Sequence, residues 1–158
     1  MIKINLGSGR QIVHGYLNVD YVQITGSNGR KLVDYVVDIE KEKLPFKDNS
    51  VDTIRADNVF EHLGDGFIFA LNECHRVLKK KEILYGVVPL AGSDKDFADI
   101  THKRHFNMNS FSYITGVSLA FPNRPSRPRY TDYGVLPWIK KDIIVKNDLI
   151  YFNLTPNK

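Results

Sequence analysis

The chain has 158 residues, 42% of them hydrophobic, enough for one sizeable core and too few for two ordinary domains, so a single domain over 1–158 is expected. Its one cysteine, Cys74, excludes an intrachain disulfide and a thiolate metal cluster and fits a reducing compartment, which makes the cytoplasm the expected location. No stretch approaches the roughly 18 apolar residues of a membrane span, no basic-then-apolar leader opens the chain, and a net charge of +4 leaves anionic substrates, nucleic acid or plain solubility open.

Short apolar runs recur between turn-forming clusters at Ile2–Leu6, Tyr16–Asp20, Leu32–Asp38, Val51–Ala56 and Ile83–Leu90, and these read as strands. "DYVVDI" and "ILYGVVPL" are apolar on both faces, as strands inside a covered parallel sheet are. Between the fourth and fifth runs, Phe67, Leu71, Cys74 and Leu78 recur at helical spacing. They predict a helix from Asp65, a candidate N-cap, to about Lys79. Lys79, Lys80 and Lys81 would then offset the negative end of its dipole. A second helix is expected from near Asn107, with Phe111, Ile114 and Val117 on its buried side. Residues 122–137, with four prolines and three arginines, read as a loop, and "KKDIIVKNDLIYFNLTP" as two antiparallel strands around Lys146-Asn147-Asp148.

Two glycines flank Ser8 at the end of the first run. Gly7 and Gly9 permit backbone conformations, and an approach of a ligand to the main chain, that a Cβ would block. In open α/β sheets ligands bind beyond the C-terminal strand ends, where an acidic residue such as Asp20 can take both hydroxyls of a ribose. "GSG" is equally a common turn, and an aspartate after a strand is equally a turn residue. Asp38 ends the third run as Asp20 ends the second, and "ADNVFEH" follows the fourth, so polar groups gather at one sheet edge.

In this order the motifs resemble a family. "NLGSG" and "GYLNVD" are similar to the "LGCG…GWxNVD" opening of a small branch of the class I S-adenosylmethionine-dependent methyltransferases. "LPFKDNSVDTIRADNVFEHL" resembles that family's "LPFPDNSFDxIxxxHVLEHL", and "LNECHRVLKKKEILYGVVP" its "LxExxRVLKPGGxLxIxVP", with a further echo in "THKRHFNMNSF". The resemblance runs from about Ile4 to Pro89. It implies a Rossmann-like three-layer α/β sandwich whose mostly parallel sheet ends in an antiparallel C-terminal hairpin, and S-adenosylmethionine as cofactor.

By the same resemblance Gly7, Ser8 and Gly9 would pass under the methionine part and ribose, and Asp20 would bind the ribose hydroxyls. Tyr21 would cover one face of the adenine, Asp38 and Ile39 would lie beside it, and Asp57 and Asn58 would border the reacting methyl. There are departures. Only Arg10–Gly15 separates the glycine turn from the second strand, too short for the crossover helix expected there, and "TGSNG" makes a poor second helix. One side of the sheet should therefore be thinly covered, which invites a homo-oligomer or a partner subunit. The "KPGG" turn is replaced by Lys79-Lys80-Lys81-Glu82, and the chain opens on its first strand without a lid helix, so an open pocket is expected.

Methyl transfer from a sulfonium needs a general base only where the acceptor must lose a proton. Glu61, His62, His102 and His105 are the candidates. His102 and His105 with Asp99 could be read as metal ligands, but no tight motif or thiolate accompanies them, and no metal is expected. Arg124, Arg127 and Arg129 would give the acceptor pocket a positive field suited to an anionic small molecule. The expected activity is O- or N-methylation of a small-molecule acceptor, a sugar or an anionic metabolite. The alternatives are a non-catalytic S-adenosylmethionine-binding subunit and a nucleic-acid-modifying methyltransferase. The second lacks the aromatic-and-basic strand pattern of single-strand binders, and a nicotinamide site lacks its third glycine.

Overall fold

The computed structural model describes residues 1–116 and 130–158. Val117 and the three arginines of the proline-rich segment, Arg124, Arg127 and Arg129, lie outside the described residues. Seven strands form one sheet in the order β3-β2-β1-β4-β5-β7-β6. β1 (Lys3–Leu6), β2 (Leu17–Asp20), β3 (Tyr35–Val36), β4 (Val51–Asp57) and β5 (Leu78–Pro89) pair in parallel. β7 (Leu149–Pro156) pairs antiparallel with β5 and with β6 (Trp138–Lys146). The mostly parallel sheet with an antiparallel C-terminal hairpin is the expected one. The hairpin turn is Asn147-Asp148, both at positive φ, the conformation that two-residue hairpins demand and asparagine and aspartate tolerate.

Alternation along the strands separates two faces. Ile4, Leu6, Val19, Ile54, Leu84 and Leu154 are buried in one cluster with Phe67, Leu71 and Cys74 of α1 (Phe67–Val77) and Phe111 and Ile114 of α3 (Ser110–Thr115). The residues between them, Lys3, Asn5, Asn18, Arg55, Tyr85 and Asn153, make a polar row across the other face. No helix lies between β1 and β2. The short connection is instead folded by turns, with Gln11 N–H donating to the Ser8 carbonyl at 2.8 Å and Tyr16 N–H to the Val13 carbonyl at 3.1 Å. Asn5 fastens it to the polar face by donating to the Gln11 carbonyl at 2.7 Å and to the Asn18 side chain at 3.0 Å.

Several local expectations are corrected. The run Leu32–Asp38 contributes only Tyr35–Val36, paired through Val19 and Asp20, and Val36 is 52% exposed: an apolar pattern on both faces belongs here to a sheet edge rather than an interior. Asp65 does not cap α1. Gly66 occupies the N-cap without a side-chain bond of its own, and a Cβ there would strike Glu40. The helix ends at Val77 and passes at once into β5, so Lys79–Lys81 are strand residues. Lys79 pairs with Asp52 at 2.7 Å, and Lys81 adopts a positive φ where the turn chemistry is missing. Asn107 precedes α3 rather than starting it, its side chain accepting from the N–H groups of Asn109 and Ser110. A four-residue helix at Asp94–Phe97, α2, was not foreseen.

The "LPFKDNS" and "ExxR" motifs meet in one network. Arg76 donates through two nitrogens to both oxygens of Glu73, at 2.8 and 2.7 Å, and also to Asp48 and the carbonyls of Leu44 and Phe46. Glu73, buried, completes it by accepting from Leu44 N–H at 2.9 Å. Two sequence-distant motifs thus fasten the segment before β4 to α1.

Candidate active site

β1 lies between β2 and β4, so the connections that leave its two neighbours part in opposite directions and open a crevice at the C-terminal strand ends. A cleft of about 1280 Å³ occupies that place. Gly7 lines it at φ +59°, a left-handed conformation in which a Cβ would also meet Val59 Cγ2 at 2.5 Å. Both the backbone angle and the space require glycine. Gly9, at φ +50°, has open space where its Cβ would be, so there only the angle requires it.

The Asp20 carboxylate is 7% exposed and reaches the cleft wall. One oxygen accepts from Gly9 N–H at 2.8 Å, and among the described residues the other has only a long contact of 3.4 Å to Val22 N–H, which leaves it acceptor capacity toward the cleft. Asp20 therefore pins the glycine turn and presents an acceptor-only group beside it. Those properties fit the diol of a ribose. Val37 and Ile39 supply apolar wall, and Tyr21, 76% exposed, stands at the rim.

Two residues past β3, Asp38 accepts from Glu40 N–H at 3.1 Å and from Lys41 at 2.8 Å, an exposed pair that holds its carboxyl below the usual range. Glu40, unforeseen from the sequence, is the group that shapes the opposite wall. Its carboxylate accepts from the N–H groups of Gly64, at 3.1 and 3.0 Å, and Gly66, at 3.2 Å. Burial raises its pKa, but these bonds and Lys103 outweigh that and leave it lowered. No local pattern joins Glu40 to two glycines more than twenty residues away.

A 3-10 turn, Phe60–His62, follows β4 and carries the most polar part of the site. Glu61 is 0% exposed and neither carboxylate oxygen has a hydrogen-bond partner among the described residues; burial, with the charges of Asp99, Asp57 and Asp96, pushes its pKa up to about 7. Its backbone carbonyl accepts from Lys103 N–H at 2.8 Å and Arg104 N–H at 3.0 Å, clamping the "THKRHF" segment against the turn. Arg104 secures the same segment through the Gly64 carbonyl at 2.7 Å and the face of Phe67. The rings of His62 and His102 meet edge to face with centroids 4.8 Å apart, and burial and His102 lower the His62 pKa.

Of the residues singled out in the sequence, Gly7, Asp20, Tyr21, Asp38, Ile39, Asn58 and His62 line this one cleft. Ser8 is buried with no hydrogen-bond partner for its hydroxyl among the described residues, and Gly9 bonds to Asp20. Asp57 is paired with Arg55, and Tyr85 stands beside it on the polar sheet face. Glu61 and His102 sit together behind and beside His62, whereas His105 is bonded to Asp96 at 2.9 Å and packs on Phe97.

A crevice with apolar walls, a bare main-chain floor and carboxylates at or just past successive strand ends defines an α/β protein built to hold a nucleoside-containing cofactor. The family described as Methyltransferase domain matches residues 5–85, about half of the chain, and the chain belongs to that family, as an S-adenosylmethionine-dependent methyltransferase.

Solved structures share the fold at low identity. The methyltransferase solved in complex with the Haloferax volcanii Trm112 methyltransferase activator is 13% identical with a TM-score of 0.60, over 99% of this chain and 83% of that one. YcgJ of Bacillus subtilis is 15% identical with a TM-score of 0.60, over 99% and 92%. The 1,6-didemethyltoxoflavin-N1-methyltransferase of Burkholderia thailandensis, solved with 1,6-didemethyltoxoflavin and S-adenosylhomocysteine, is 11% identical with a TM-score of 0.62, over 99% and 71%. No curated protein matches in sequence. Among the described residues no helix is long and apolar enough to cross a membrane.

Proposed function

We propose that the chain methylates an oxygen or nitrogen of a small acceptor, a sugar, a nucleotide sugar or an anionic metabolite, within the cleft at the ends of β1, β2 and β4. The observation that carries this reading is the cleft itself. At about 1280 Å³ it exceeds the roughly 300–1,000 Å³ of a common single-ligand site, and so has room for donor and acceptor together. Asp20, Asp38 and His62 all line it.

In this reading Asp20 takes the ribose hydroxyls and Tyr21 and Ile39 flank the adenine. Asp38 accepts from the adenine amine after releasing Lys41, an exposed and therefore weak partner. The main chain at Gly7 lies under the methionine part, shaped by Ser8 and Gly9, and Asn58, next to the Asp57–Arg55 pair, borders the methyl. When bound, S-adenosylmethionine supplies a sulfonium-activated methyl group. The chain contributes alignment of the acceptor and exclusion of water. A hydroxyl acceptor would lose its proton toward the cluster of Glu61, His62 and His102, with His105 acting through Asp96 as a positioning residue. Lys103, at the cleft wall, and the arginines 124, 127 and 129 would favour an anionic acceptor.

The exposed two-residue edge strand β3 and the helix-free β1–β2 connection support a partner subunit or a second copy, in line with the solved neighbour's complex with the Haloferax volcanii Trm112 activator. Calorimetry with S-adenosylmethionine and NAD tests the cofactor part. Binding of the first only is expected, largely lost in Asp20→Ala, and equal affinity in the variant removes Asp20 from the site. A turnover screen over hydroxyl and amine acceptors tests the rest: binding without turnover on any of them favours a regulatory subunit.

A further inference from the structure

The cluster of Glu61, His62 and His102 carries a reading of its own. One ligand-type atom from each residue lies within 4.8 Å of the other two. Glu61 and His62 come from the turn after β4, His102 from the segment that Glu61 clamps through its backbone carbonyl, so two fixed pieces of chain converge on one point.

The first observation is the state of Glu61. A carboxylate with no exposure and two unpartnered oxygens is costly unless something satisfies it. Of the two cations of the adjoining segment, Lys103 faces Glu40, and Arg104 donates one nitrogen to the Gly64 carbonyl and lies on Phe67; its buried Nε has no hydrogen-bond partner among the described residues and does not bond Glu61. Asp57, Asp96 and Asp99 surround the group with further negative charge. No described side chain hydrogen-bonds either Glu61 oxygen, which leaves the carboxylate open to a cation.

The second observation is the pair of imidazole tautomers. Thr101 donates its hydroxyl proton to Asp99 at 2.7 Å, since a carboxylate can only accept; its 3.0 Å contact with His62 Nδ1 is therefore one in which the ring N–H donates. His102 Nδ1 lies 2.8 Å from the Asp96 carbonyl, which also only accepts, so this nitrogen carries a proton as well. Both rings are left with a lone pair on Nε2. A ligating histidine is held in this way, its other N–H bonded to a carbonyl or, through a relay, to a carboxylate.

We propose that Glu61, His62 and His102 bind one divalent transition-metal ion of the Zn2+ type through the carboxylate and the two Nε2 atoms. Two imidazoles with one carboxylate favour such an ion over Mg2+ or Ca2+, which take oxygen ligands. Bonds of about 2.0–2.1 Å at a tetrahedral angle put ligand atoms about 3.3 Å apart, so binding draws the three side chains inward. Three protein ligands leave a position open, and His62 and Thr101 line the cleft, so the open position faces the cleft. An acceptor hydroxyl bound there would lose its proton at a lower pKa and release it to solvent water, the three ligands then being occupied by the ion and no longer the proton acceptors they are in the metal-free reading. That consequence rests on the methyl-transfer reading; the metal site does not.

The test uses the full chain after dialysis against EDTA, titrated with ZnCl2 by calorimetry and with CoCl2 by visible absorption. One ion per chain is expected, with the absorption of a nitrogen- and oxygen-ligated cobalt centre. His102→Ala and Glu61→Gln should each weaken binding at least a hundredfold, and His14→Ala, on the β1–β2 loop, should not change it. Should Glu61→Gln fail to fold, His102→Ala, at a half-buried position, decides. Undiminished binding by His102→Ala, a loss shared by His14→Ala, or a preference for Mg2+ overturns the proposal. S-adenosylmethionine titrations of the same samples keep the two readings apart: retained cofactor binding with no zinc binding ends this one alone.

Discussion

Gly7 and Gly9 look alike in the sequence and differ in the structure, which makes alanine at each a test of how the glycine turn is built. Alanine at either position adopts a left-handed backbone, at a cost of about 1–2 kcal/mol. At Gly9 nothing else opposes the new methyl group, and the loss should end there. At Gly7 the methyl meets Val59 Cγ2 at 2.5 Å and Cγ1 at 3.0 Å, adding an overpacking cost of about 1–3 kcal/mol. The expected losses are then about 1–2 kcal/mol for Gly9→Ala and roughly 2–5 for Gly7→Ala. In a chain of this length each kcal/mol lowers the melting temperature by about 2–4 °C. Because Val59 also lines the cleft, Gly7→Ala should weaken S-adenosylmethionine binding as well. Thermal unfolding of the single variants and of Gly7→Ala/Val59→Ala reads both effects. The double variant should be more stable than the sum of the singles by about 1 kcal/mol or more. Strict additivity, or equal losses at the two glycines, would refute the steric argument.

Arg76→Ala leaves the buried Glu73 without its guanidinium and should cost about 3–5 kcal/mol by urea unfolding; a change under about 1 kcal/mol contradicts the network. Asp52 has its carboxyl pKa lowered by Lys79 and by the Ile2 N–H. Its contribution is thus fully present above the unfolded value of about 3.9 and disappears as the pH falls through the lower folded value. Asp52→Asn should therefore flatten the acid limb of the stability curve, and an unchanged limb would show that the pair contributes nothing. Cys74 is wholly buried and its thiol is pushed up to about 12 by burial and Glu73, so the native protein should resist a thiol reagent at pH 8 and react fully in denaturant. Rapid labelling of the native protein would show that α1 is not seated as described.

What was legible in the sequence followed from short-range chemistry. Asn147-Asp148 marks its hairpin because the turn demands positive φ at both residues, and Arg10–Gly15 excludes a crossover helix by length alone. Where two structures share one pattern, the pattern does not choose. Leu78 satisfies the helical spacing of α1 and is buried equally well as the first residue of β5. "DYVVDI" is as apolar at an edge as in an interior, and only the pairing partner distinguishes them.

The site divides in the same way. Gly7, Asp20 and Asp38 were visible because each lies at or within two residues of the C-terminal end of a strand, and parallel strands bring those ends to one edge. Glu40 was invisible because its partners, Gly64 and Gly66, are bound through backbone N–H groups that leave no trace in residue type. Proximity in sequence suggested His102 with His105 and Asp99, whereas the fold gives His105 to Asp96 and brings His102 to Glu61 and His62, about forty residues away.

A crystal structure of the chain with S-adenosylhomocysteine bears most directly on the whole account. The adenosine should lie between Tyr21 and Ile39 with its ribose hydroxyls on Asp20, and the sulfur should point toward Asn58 and His62. A nucleoside found instead on the polar sheet face, beside Arg55 and Tyr85, would contradict it.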